Sequence, residues 1–60
     1  MTLDPIAHAR VIYSELRQHP DLALDVALSN STSANEPERR AYWLRVRREL
    51  ARLFGREVAA

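Results

Sequence analysis

The three prolines of this chain constrain its fold more than any other feature, because each stands where a helix can begin and none where one could continue. Proline suits the first turn of a helix, whose amide has no intrahelical acceptor, and it disfavours helical geometry in the residue before it. Pro5, Pro20 and Pro37 therefore mark three helix starts in 60 residues. The single glycine, Gly55, is a natural stop for the last helix.

The apolar spacing fills in these three segments. Asp4 can accept from the first-turn amides, with Thr2 as the other candidate cap, and Ile6, Ala9, Ile12, Tyr13 and Leu16 recur at intervals of three and four. That predicts a first helix over about 4–18, with Ala7 and Val11 opposite its inner face. Between Leu22 and Leu28 the only polar residue is Asp25; with Asp21 and Ser29 it forms a polar stripe on a helix of about 20–29 that is otherwise apolar all round. Ser29 to Asn35 is a run of short polar side chains that compete for backbone hydrogen bonds, so a loop is expected there. For the third helix, about 36–54, Asn35 and Glu38 have the spacing of a capping box. Its apolar face carries Tyr42, Trp43, Val46, Leu50, Leu53 and Phe54, and Arg45, Arg48 and Arg52 line the opposite side, bordered by Glu38 and Glu49. Arg56 would extend that row if the helix continued, and the tail from Arg56 to Ala60 is expected to fray.

The expected fold is all-α: one three-helix domain spanning 1–60, without strands, and with the third helix packed across the first two. The expected core is Ile6, Ala9, Ile12, Tyr13, Leu16, Leu22, Val26, Trp43, Val46, Leu50, Leu53 and Phe54. A chain this short buries only roughly 60% of the surface its unfolded form exposes. It has no cysteine for disulfides, and two other helices are too few to cover an all-round apolar one. A homodimer or a larger protein partner is therefore expected, with Val11, Leu24, Ala27 and Leu28 at the contact and Ala7 secondary. Tyr42 and Trp43 read as core, with the dimer interface as their other possible place.

Composition removes several function classes. There is no thiolate for metal or catalysis, and one glycine excludes phosphate-cradling and dinucleotide-binding loops. His8 and His19 lie eleven residues apart without ligand spacing, and the serines have no nucleophile elbow. No catalytic, cofactor or metal residue is assigned, and the chain is not expected to be an enzyme. A deep polar pocket joining either histidine to two carboxylates would be the sign to the contrary. Apolar runs of a few residues are far short of a membrane span, and a first segment without basic residues is unlike a signal peptide, which leads to the expectation of a cytoplasmic protein.

Two readings remain. Ala23 to Ser29 resembles the first helix and turn of a helix-turn-helix, but the small polar residues from Ser31 to Asn35 leave no apolar anchor for a recognition helix. The arginine row could meet successive phosphates or an acidic protein surface, since residues 36–60 carry seven Arg against four Glu and residues 1–35 two Arg against four acids. Arg45, Arg48, Arg52 and Arg56 all on duplex phosphates would give a log–log salt slope of about −3 to −4. A solvated face is the simpler account of these charges, so the leading expectation is a non-enzymatic interaction or regulatory module, with sequence-independent nucleic-acid binding as its alternative. The absence of lysine fits a GC-rich bacterial or phage gene, and the layout of two short helices, a polar segment and a basic Trp-bearing helix looks like many small proteins of that type.

Overall fold

The structure is a computed structural model that describes residues 4–56. In it each proline is the first residue of a helix: α1 spans Pro5–Glu15, α2 Pro20–Ser33 and α3 Pro37–Leu53. No strand is present among the described residues. Asp4 caps α1 as expected, its carboxylate accepting from the Ile6 amide at 3.0 Å. The alternative cap, Thr2, and most of the tail expected to fray lie outside the described residues.

The cap of α3 is Glu36 rather than Asn35, with φ −106° and ψ 136°, and its side chain makes no capping bond. Pro37 decides this. It keeps Glu36 out of the helical region, so the helix cannot start one residue earlier as an Asn35–Glu38 box requires. At the other end α3 closes on a Schellman motif. Gly55 adopts φ 69°, its amide donates to Arg52 O at 3.1 Å, and the Arg56 amide donates to Ala51 O at 2.7 Å. Arg56 therefore lies past the helix and does not extend the α3 row.

The largest correction concerns α2, which runs four residues beyond the expected end and absorbs most of the predicted loop. Its short polar side chains support the helix instead of competing with it. Asn30 Nδ2 donates to Val26 O at 2.9 Å, and Thr32 Oγ1 donates to Leu28 O at 3.0 Å, each reaching back one turn. Ser31 is buried and donates to Arg40 O of α3 at 3.3 Å. The segment that would be the turn of a helix-turn-helix is thus helix, and that motif is absent.

α3 packs along both α1 and α2, while those two touch only lightly. The core is Ala9, Ile12, Ala23, Ala27, Val46, Leu50 and Ala51, ringed by half-buried Tyr13, Leu16, Leu24, Tyr42, Trp43 and Phe54. Two expected core residues lie outside it, Ile6 at 49% and Leu22 at 51% exposure. Val26, Leu53 and Trp43 are only half-buried. On α2 the inward positions belong to Ala23, Ala27 and Ser31, one turn apart, because small side chains let two helix backbones approach closely where leucine would hold them apart. Asp21, Asp25 and Ser29 face solvent, as the polar stripe predicted.

Candidate functional site

Four residues were expected at a partner contact, and the structure separates them. Ala27 is completely buried in the seam between α2 and α3 and offers nothing to a partner. Leu24 is half-buried against the core, Leu28 is 40% exposed, and Val11 is 55% exposed on the side of α1 away from Ala9 and Ile12. Val11 and Leu28 thus do not share a patch with Ala27. Leu44 of α3 is likewise exposed, at 48%, and the sequence did not single it out. The Ser31–Arg40 hydrogen bond and the Arg56–Asp21 ion pair set an antiparallel register for α2 and α3. Leu28 is about one turn before Ser31, and Leu44 one turn after Arg40, which places the two leucines level with each other along the outer edge of the seam. Ala23, Ala27 and Ser31 form a stripe of small residues one turn apart, but spacing alone does not rank alanine above leucine for the inner face until the neighbouring backbone is placed.

The arginine row is partly neutralised. Arg52 holds Glu49 one turn away, with Nε 3.1 Å from one carboxylate oxygen and Nη2 on the other. Hydrogen bonding to Arg52 holds the Glu49 carboxyl below its ordinary range, and the same bond raises Arg52. Arg56 pairs with Asp21 across the α2/α3 hairpin. Arg45 and Arg48 make no ion pair among the described residues, and they border a shallow hollow with Asp4, Ile6 and Glu49.

A second concavity lies at the start of α3. It is an open groove of about 500 Å³ lined by His8, Tyr42, Trp43, Glu36, Glu38 and Arg39. His8 is half-buried there, its Nδ1 sharing a 2.8 Å hydrogen bond with the Tyr42 hydroxyl. The His8 and Trp43 rings lie 5.0 Å apart between centroids, and Tyr42 meets Trp43 edge to face at 5.6 Å and 88°. Desolvation raises the Tyr42 phenol above its ordinary range, with the Asp4 carboxylate adding to the effect. This groove does bring a histidine and two carboxylates together. The hydrogen-bond partner of His8, however, is a phenol, and neither Glu36 nor Glu38 bonds to the imidazole, so the orienting carboxylate of a general base is missing. Among the described residues no three His, Asp or Glu side chains gather as a metal ion would need.

No protein-family model, curated protein or solved structure matches the chain.

Proposed function

We propose that this chain is a non-enzymatic protein-interaction module that pairs with a second copy of itself through the Leu28–Leu44 flank of the α2/α3 hairpin. One observation carries the reading: among the described residues more large aliphatic side chains are exposed than fully buried. The largest fully buried side chains are Leu50 and Val46, and four of the seven core residues are alanine, while Ile6, Val11, Leu22, Leu28 and Leu44 stay 40–55% exposed. Each large aliphatic taken out of water contributes about 1.5–3 kcal/mol, so a core this light leaves folding free energy to be gained on association.

The Leu28–Leu44 flank supports a second copy as the occupant, because it pairs one exposed leucine from each helix of an antiparallel hairpin. A two-fold axis crossing it would lay each Leu28 against the other copy's Leu44. A standard interface takes about 800 Å² from each partner, roughly a sixth of the 4720 Å² this chain exposes. Two leucines fall short of that area, so the contact extends along the seam past Leu24 and the dimer is a weak one. Sedimentation equilibrium tests this. Association in the tens-of-micromolar range is expected, abolished by Leu28→Glu or Leu44→Glu and retained by Val11→Glu. A folded wild-type chain that stays strictly monomeric at several hundred micromolar overturns it.

Nucleic-acid binding is the weaker reading. Arg52 and Arg56 are each engaged by a carboxylate, which leaves Arg45 and Arg48 of the expected row to meet phosphates.

A further inference from the structure

We propose that the groove formed by His8, Tyr42 and Trp43 binds the guanidinium of an arginine side chain presented by a partner polypeptide. Its construction carries the inference. Trp43 and Tyr42 are adjacent on α3 and half-buried, so each presents part of a ring to the groove while the remainder packs on the core. Their edge-to-face contact and the 2.8 Å hydrogen bond between Tyr42 and His8 hold the wall in one arrangement before any ligand arrives. Preorganisation of this kind removes much of the ordering cost of binding. A tryptophan face attracts cations through its ring quadrupole. Glu36 and Glu38 stand at the rim with Arg39, leaving a net charge of one negative unit around an aromatic surface.

The ring spacings discriminate between cations. His8, Tyr42 and Trp43 lie 5.0 to 5.9 Å apart between centroids, which is mutual contact. No gap the size of a methylated ammonium remains between them, and such a group needs several walls set around it. A guanidinium is flat. It needs one open ring face, and its in-plane N–H groups can reach a carboxylate at the rim in the paired geometry that favours arginine over lysine. The groove is lined by both kinds of group, the half-buried Trp43 and Tyr42 rings and the Glu36 and Glu38 carboxylates.

Trp43 is the only tryptophan in the chain, so its fluorescence reports on the groove directly. The probe is N-acetyl-Gly-Arg-Gly-amide, titrated into the full chain beside its lysine counterpart and its citrulline counterpart, which keeps the shape and loses the charge. The arginine peptide is expected to give a saturable change with a dissociation constant of about 1 mM, the lysine peptide to bind several-fold more weakly, and the citrulline peptide to give no saturation. The double variant Glu36→Gln, Glu38→Gln changes two exposed side chains and is expected to weaken the arginine peptide about tenfold. Arg39→Ala, which removes the competing cation, should tighten it. Leu28→Glu should leave it unchanged, so this test and that of self-association fail separately. Equal binding of the arginine and citrulline peptides, or no saturable change up to about 20 mM, overturns the proposal. So does a self-association that Glu36→Gln, Glu38→Gln abolishes while free peptide has no effect, since the occupant would then be a second copy.

Discussion

Glu49 and Arg52 show how far one contact reaches at the surface. Arg52 lowers the Glu49 carboxyl, so the native state holds that proton less tightly than the unfolded chain does. The stabilisation it brings is present above the ordinary carboxylate range and is lost as pH falls through the native value. A carbon-13 titration of the Glu49 carboxyl should give a midpoint below the ordinary glutamate range, and Arg52→Ala should return it to that range. Tyr42 has the opposite sign: its phenol is raised, so the native chain keeps the proton longer and stability declines as pH rises past the ordinary tyrosine value. Gly55 separates backbone from steric effects. Its φ is +69° and a Cβ there would meet nothing within 4 Å, so Gly55→Ala should cost about 1–2 kcal/mol in denaturant unfolding through conformation alone. Gly55→Asn should cost less.

Among the elements, α2 departs furthest from expectation, and the reason lies in α3. Taken alone, Ser29 to Ser33 favours turns, yet a buried seam rewards small side chains and accepts the Ser31 hydroxyl on Arg40 O. If Ala27 sits in that seam, Ala27→Leu should destabilise by about 1–3 kcal/mol in urea unfolding through overpacking, whereas Leu28→Ala next to it should change monomer stability by less than about 0.5 kcal/mol. Equal effects at the two positions would mean that the seam is misplaced. α1 is held differently, by larger groups. Tyr13 meets Phe54 at 4.8 Å between centroids, and Arg17 lies 5.7 Å from the centre of the Tyr13 ring.

For the whole molecule, the distribution of arginines makes a quantitative statement about nucleic acids. With Arg52 and Arg56 engaged by Glu49 and Asp21, only Arg45 and Arg48 of the row remain, and any duplex binding should show a log–log salt slope of about −2 per protomer in place of −3 to −4. Anisotropy titrations across ionic strengths read this slope directly, and one near −4 would mean that both ion pairs open on binding. No helix among the described residues is long and apolar enough to cross a membrane. Outside the core, Ile6, Val11, Leu22, Leu28 and Leu44 remain exposed on the surface of the described residues.

What the sequence determined by itself is local. Each proline sets a helix start, Gly55 sets the last helix end, and the three-and-four spacing of Ala9 with Ile12 and of Val46 with Leu50 sets the faces of α1 and α3, because these rest on backbone sterics and helical periodicity within a few residues. Only the tertiary structure decided which face of α2 turns inward. Leucine and alanine are both apolar, so periodicity cannot rank them, and the choice depends on how closely a neighbouring backbone approaches. Ala23, Ala27 and Ser31 fit that distance, and Leu22 and Leu28 do not. The same holds for the groove. His8 lies 34 residues from Tyr42, and nothing local to either position says that the packing of α1 on α3 brings them within a hydrogen bond.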